Sequence, residues 1–167
     1  SSLETYYEAA DCADTTAADC DFAKLSRIHA QSAHVYRHQV QPRTQLSELI
    51  KAEFYARKAN DTLMAIECYA QQADAYDFLH KPDSVIIVRE GAAQQFMDIG
   101  RGNRAAQTLG SAITSALEKK DVSRARKYIH LYESESGLFD AHGNIEKGRE
   151  TFYYAKGQYY LALNKLR

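Results

Sequence analysis

The feature that most constrains this sequence is the return of chain-breaking residues at nearly constant intervals. Asp61, Gly102 and Gly143 recur with a period of 41, and the two prolines, Pro42 and Pro82, have a spacing of 40. Between these breaks the apolar residues recur with the 3.6-residue period of one face of a helix. Internal repetition at such a period is typical of stacked-repeat proteins, so the sequence predicts repeated helix pairs.

The same breaks give the expected helix boundaries. Proline fits the first turn of a helix, so Pro42 and Pro82 should each open one. The pairs Asn60-Asp61 and Gly102-Asn103 are typical of a helix end followed by the cap of the next helix. Residues 85–88 are the one run with strand chemistry, and we interpret them as a buried helix start because no partner strand exists. The prediction is an all-α superhelix of about seven or eight helices, pairing 21–39 with 42–59, 62–80 with 82–100 and 103–119 with 121–136, then a helix over 145–164.

We expect one repeat domain over residues 1–167. Residues 1–20 are interpreted as the remnant of a preceding helix, and the unpaired last helix suggests a piece of a longer chain. Small residues spaced by the same period are expected where paired helices approach closely. The pairs are expected over about 21–60, 62–101 and 103–142 with a partial pair over 144–167, and the small residues are Ser32, Ala73, Thr114 and Ala155.

Composition excludes several classes of protein. The net charge of -1 argues against a general nucleic-acid-binding surface. No apolar run approaches the roughly 20 residues that span a bilayer, so membrane insertion by this segment is not expected. Three cysteines cannot all pair within one chain, so no disulfide framework is expected and Cys12, Cys20 and Cys68 are interpreted as small buried residues.

No motif for catalysis or for a cofactor is present, so an enzyme is not expected. His34 and His38 lie four residues apart and could reach one metal ion from a helix, but no nearby acid or cysteine completes a site. We therefore interpret them as solvated or groove histidines. Residues 1–22 carry a local charge of -6 and residues 101–130 a local charge of +5. These are either two solvated surfaces or an acidic end and a basic patch that contact partners.

The sequence resembles tetratricopeptide-repeat (TPR) proteins, in which a small residue of the first helix is followed three positions later by an aromatic one. Ala73 with Tyr76 and Gly157 with Tyr160 fit this pattern, and Ala125 matches the alanine of the second helix. The longer period here, 41 against about 34 residues in the family, implies longer helices. Residues 135–144 and the tyrosine-rich helix after them also resemble the TPR regions of bacterial membrane-anchored regulators.

This resemblance implies a binding groove lined by the first helix of each pair. Aligning the family pattern through Ser32 and Ala73 places seven residues there: His29, Tyr36, Arg37, Glu67, Asp74, Asp77 and Phe78. A mixture of aromatic and charged side chains suits peptide recognition. The alternative for Tyr36 and Phe78 is simple packing between helices.

The leading hypothesis is a non-enzymatic scaffold that binds a protein or peptide, as the sensory or assembly segment of a larger bacterial protein. The alternatives are a small-ligand-sensing domain of a regulator and a metal-dependent enzyme using His34 and His38. The compartment stays open between the extracytoplasmic face of a membrane-anchored protein and the cytoplasm. Self-association is a further hypothesis for the last helix, through Tyr153, Tyr154, Tyr159 and Tyr160.

Overall fold

The structure, a computed structural model, describes residues 20–135, His142 and residues 149–166. All regular structure in these ranges is α-helical, which confirms the predicted all-α class. Residues 85–88 lie inside a helix with Val85 and Val88 buried, as expected. The helices are α1 (Phe22–His38), α2 (Pro42–Lys58), α3 (Thr62–Phe78), α4 (Pro82–Asp98), α5 (Gly102–Glu118), α6 (Val122–Glu135) and α7 (Glu150–Lys165).

The helices from α1 to α6 begin at intervals of twenty residues, and α1 to α5 are all of the same length. The helix pair therefore repeats with a period of twice that interval, and the predicted period of 41 is wrong over this range. Pro42 and Pro82 open α2 and α4, as predicted. Helix α7 departs from the spacing, because it begins at Glu150 rather than twenty residues after the start of α6.

One turn, used five times, sets the interval. In the first copy the Val40 N–H donates to the Arg37 carbonyl at 3.1 Å and the Gln41 N–H to the Tyr36 carbonyl at 2.9 Å. This is the Schellman pattern, which satisfies the last carbonyls of a helix and needs one residue with positive φ. The same two bonds recur at the next four turns, whose positive-φ residues complete the set Val40, Asn60, His80, Gly100 and Lys120.

The residues that end one helix and begin the next were partly predicted. Asn60 is left-handed with φ of 56°, and the Asp61 carboxylate caps α3 by accepting from the Met64 N–H at 3.0 Å, as the sequence indicated. At the fourth turn the prediction is wrong by two residues. Gly100, with φ of 73°, makes the left-handed exit, and Gly102 is already the first residue of α5.

Burial repeats with the same interval. Because identical turns return each helix in the same register, positions twenty apart face the interior together. Thr114, by contrast, is exposed, so it is not the close-packing residue that a period of 41 predicted. Two buried series are Leu25, Gln45, Ala65, Val85, Ala105 and Ala125, and Ser32, Ala52, Gln72, Ala92, Ala112 and Tyr132.

The chain divides after Val88, within α4, into two compact units. In the first unit α1 packs on α2 and α2 on α3. The Ser26 hydroxyl donates to the Ala52 carbonyl at 2.8 Å, and the Gln72 amide donates to the Glu53 carboxylate at 2.7 Å. Val85 and Val88 pack on Ala73 of α3 in a further apolar cluster.

In the second unit α5 packs against both α6 and α7. The approach of α7 depends on Gly110, because a Cβ there would lie 2.9 Å from the backbone of Thr151. The buried rings of Tyr132 and Phe152 join α6 to α7 with centroids 4.2 Å apart, and Lys156 donates to Glu133 between the same helices.

The cysteines differ from expectation. Cys20 is disulfide-bonded, and Cys68 is a free buried thiol, so the partner of Cys20 lies outside the described residues. The predictions for residues 1–19, for Gly143 and for the start of the last predicted helix also lie outside them. None of the described helices is both long and apolar enough to cross a bilayer.

Candidate functional site

Four exposed or half-buried side chains on α1 and α3 form what we call the α1–α3 surface: Arg37, Asp74, Asp77 and Phe78. The Arg37 guanidinium and the Asp74 carboxylate make an ion pair of 3.3 Å that bridges the two helices. Their side chains are 52% and 39% exposed, so both remain available to a partner. The structure thus brings together two of the seven predicted groove residues.

Asp77 and Phe78 extend this surface by one helical turn, because they follow Asp74 by three and four residues. Both are exposed, and 52% of Phe78 is accessible to solvent. Tyr36 is half-buried in the last turn of α1, beside Arg37 in the sequence. An ion pair, a further carboxylate and an exposed ring on one surface supply both polar and apolar contacts.

Glu67 is half-buried and precedes the buried Cys68. Burial, together with the charges of Glu53, Glu67 and Asp61, raises the pKa of the Cys68 thiol to about 12. Because the thiolate is the reactive form, this cysteine is inert at neutral pH. Its place in α3 is structural.

His29 lies inside the first unit rather than on the α1–α3 surface. It is 7% exposed, and its Nδ1 lies 2.6 Å from Oε2 of Glu48 on α2. Its ring also stacks on Tyr55, with centroids 5.6 Å apart. Because these contacts occupy one ring nitrogen and one ring face, His29 joins α1 to α2 and presents little surface to a partner.

Sequence reasoning missed Glu48, which is only 3% exposed. Its other oxygen, Oε1, lies 3.4 Å from the Lys51 ammonium. A carboxylate in mid-helix ordinarily lies in solvent, since burying a charge is costly without partners. Its burial could have been inferred from the twenty-residue repeat. Ile28, Cys68 and Val88 lie at multiples of twenty residues from Glu48, and all are buried.

His34 and His38 lie on the exposed side of α1, with their Nε2 atoms 3.1 Å apart. Within the described ranges no three histidine, cysteine, aspartate or glutamate side chains group closely enough to hold a metal ion. His34 and His38 thus form a pair of imidazole nitrogen donors on the exposed side of α1.

A cleft lies between α5 and α7. The cleft has a volume of about 370 Å³. Tyr154 and Tyr160 are exposed, whereas Tyr159 is buried and accepts a hydrogen bond from Arg126 Nε at 2.8 Å. Tyr153 is half-buried, so two of the four tyrosines predicted to self-associate are exposed. The cleft is lined by Thr114, Leu117, Glu118, Tyr154, Gln158, Leu161, Ala162 and Lys165.

Part of the basic segment 101–130 is neutralised within the second unit. Lys127 lies 3.3 Å from the Glu90 carboxylate, and Arg124 lies 3.4 Å from that of Asp121. Arg101 and Lys119 are exposed. Of the acidic segment 1–22, residues 1–19 lie outside the described part of the chain.

No family model, curated protein or solved structure matches this chain. The assignment to a helical repeat therefore stands on the twenty-residue spacing of its helices and on the packing of consecutive helices within each unit.

Proposed function

We propose that this chain is a non-enzymatic, TPR-like scaffold that binds a protein or peptide through the α1–α3 surface. The observation that carries the proposal is the exposed Arg37–Asp74 ion pair, which joins two helices that are not consecutive in sequence. In a repeat whose turns recur every twenty residues, α1 and α3 are equivalent first helices of successive pairs. Such helices supply the binding surface in the family that the sequence resembles.

The chemistry of the surface supports a peptide as its ligand. Arginine and aromatic side chains contribute most of the binding energy in many interfaces, and Arg37 and Phe78 offer one of each. Asp77 adds an exposed carboxylate one turn from Asp74. An extended or helical peptide carrying both charges and an apolar anchor fits this arrangement.

The biological setting is part of the same proposal: a sensory or assembly segment of a larger bacterial protein, on the extracytoplasmic side of a membrane. The disulfide-bonded Cys20 supports this side, because disulfides persist in oxidising compartments and are rare in the cytosol.

The test uses peptides selected from a random library on the wild-type chain. We expect Arg37→Glu and Asp74→Arg each to weaken binding of the selected peptides by about 2 kcal/mol, or roughly thirtyfold in Kd. Because an exposed ion pair contributes about 0–1 kcal/mol to folding, the melting temperature should change little. Isothermal titration calorimetry and thermal unfolding give the two readouts.

Two further variants complete the experiment. Lys119→Glu reverses an exposed charge in the second unit and should leave peptide binding unchanged. The double variant Arg37→Asp, Asp74→Arg restores an ion pair with the charges exchanged, so it should fold normally and still bind weakly. Wild-type affinity in both single reversals, or a library that yields no binder, contradicts the proposal.

A further inference from the structure

The exposed histidines His34 and His38 face each other across one turn of α1. Their ring centroids are 4.5 Å apart with the planes at 83°, and their Nε2 atoms lie 3.1 Å apart. The two Nε2 atoms therefore lie next to each other on the exposed side of α1. Without an ion, one nitrogen donates a hydrogen bond to the other.

This separation allows both nitrogens to bind a single metal ion. The Nε2 atoms of the two imidazoles lie 3.1 Å apart. If both bonded one ion at about 2.05 Å, the nitrogen–metal–nitrogen angle would be about 98°. That angle lies between the 90° of neighbouring ligands in a tetragonal complex and the tetrahedral angle of about 109°, so it is compatible with either geometry. No rearrangement of α1 is needed to bring the donors together.

We propose that His34 and His38 form a bidentate site for Cu²⁺, with water in the remaining coordination positions. Imidazole nitrogen suits copper, nickel and zinc, and tetragonal geometry is typical of Cu²⁺ and Ni²⁺. Among the divalent first-row ions, Cu²⁺ has the highest affinity for a given site of nitrogen donors. Copper is therefore the ion that a site with only two protein ligands holds best.

The charges around the pair are compatible with a bound cation. Arg37 is the nearest cation in the sequence, and it follows His34 by three residues on the same side of α1. Its charge is offset by Asp74, whose Oδ2 lies 3.3 Å from Arg37 Nη2. No group of three or more histidine, cysteine, aspartate or glutamate donors occurs among the described residues, so the proposed site uses the two histidines of α1.

This site goes beyond the proposed peptide binding and is tested without a peptide. Cu²⁺ is titrated into the full chain and followed by calorimetry and electron paramagnetic resonance. We expect one high-affinity equivalent with an axial spectrum and hyperfine coupling to nitrogen. Either His34→Ala or His38→Ala should weaken this equivalent by about tenfold or more, because the second donor then no longer acts at high effective concentration.

Two control variants test whether copper binding depends on the spacing of His34 and His38 or only on the number of histidines in the chain. His130→Ala removes another exposed histidine, on α6, and should keep wild-type copper affinity. The double variant His38→Ala, Gln39→His keeps the number of histidines but separates the donors by five residues, which turns them to different sides of the helix. It should bind as weakly as His38→Ala, while far-UV circular dichroism verifies an intact helical fold.

The outcomes decide the proposal. Loss of the high-affinity equivalent in both histidine variants and in the shifted pair supports it. Wild-type affinity in His34→Ala or in the shifted pair overturns it, because the copper then binds elsewhere. The absence of any high-affinity equivalent in the wild-type chain overturns it as well.

Discussion

At the scale of single residues, backbone strain lies in the turns, where residues with a Cβ adopt positive φ. Val40, His80 and Lys120 occupy the left-handed region, with φ of 54°, 54° and 60°. This conformation costs a residue with a Cβ roughly 1–2 kcal/mol, whereas glycine adopts it freely. Gly100 is the glycine among the five positions, and Val40 is β-branched, the least suited type.

Replacing Val40 with glycine should therefore stabilise the protein. Val40 is 64% exposed, so the substitution removes strain and little packing. We expect the free energy of unfolding to rise by about 1 kcal/mol, seen as a higher midpoint in thermal unfolding.

The matched substitution, from glycine to a residue with a Cβ, should lower the stability of the protein. Gly100→Ala adds a Cβ that meets no atom within 4 Å, so its effect reports the φ of 73° alone. We expect a loss of about 1 kcal/mol. A Val40→Gly variant that melts at or below the wild-type midpoint would show that this turn is not left-handed.

Sequence reasoning reached some of these residues and not others, for a physical reason. Asn60 and Asp61 were predictable from local preferences. Asparagine tolerates a left-handed conformation, and an aspartate side chain caps the helix that follows it. Val40 and Lys120 carry no local preference for positive φ, so the fold imposes it there. At the fourth turn two glycines lie close together, and the exit was assigned to Gly102 instead of Gly100. The burial of His29 depends on Glu48, on the next helix, and no local pattern reveals such a contact.

At the scale of helices, the packing of α7 depends on one absent side chain. Gly110 is buried in α5, and a Cβ there would lie 2.9 Å from the carbonyl carbon, the oxygen and Cγ2 of Thr151. Two of these atoms belong to backbone, which cannot turn aside as a flexible side chain does. Helix α7 would have to move away from α5.

We expect Gly110→Ala to destabilise the second unit. Alanine gains about 1 kcal/mol of helix propensity over glycine, but overpacking a buried contact costs typically about 1–3 kcal/mol. The net result should be a loss of about 1 kcal/mol, measured by thermal unfolding.

Gly157 provides the control within the same pair of helices. It is exposed in α7, and a Cβ added there would meet no atom within 4 Å, so Gly157→Ala should gain stability by up to about 1 kcal/mol. Equal gains in the two variants would mean that α7 does not approach α5 closely.

The existence and type of the helices were predictable from the sequence, since apolar spacing and proline placement act within one helix. Pro42 and Pro82 fixed two starts to the residue. Helix α7 begins at Glu150, whereas the predicted start at residue 145 lies outside the described part of the chain.

At the scale of the whole molecule, the repeated turn explains why burial recurs every twenty residues. A turn of fixed length returns each helix in the same register, so equivalent positions face the interior of each unit. Asp21, Asp61 and Asp121 cap their helices at multiples of this interval, each accepting from the N–H three residues later. A buried series of constant spacing is typical of repeated structural units.

The α1–α3 surface was only partly predictable, because it depends on which first helices lie side by side. The TPR alignment placed Arg37 and Asp74 together, and the structure pairs them. The same alignment placed His29 in the groove, although its side chain lies between α1 and α2. A one-residue difference in period shifts which side chains face outward, since neighbouring helix positions differ by about 100° in direction.

The most direct test of a twenty-residue helical repeat is the backbone chemical shift and coupling pattern from nuclear magnetic resonance. We predict left-handed φ values at Val40, Asn60, His80, Gly100 and Lys120, with uninterrupted helical shifts along the full length of each helix from α1 to α5. Helical shifts that continue through any of these five positions, or breaks that recur at another interval, would contradict the account.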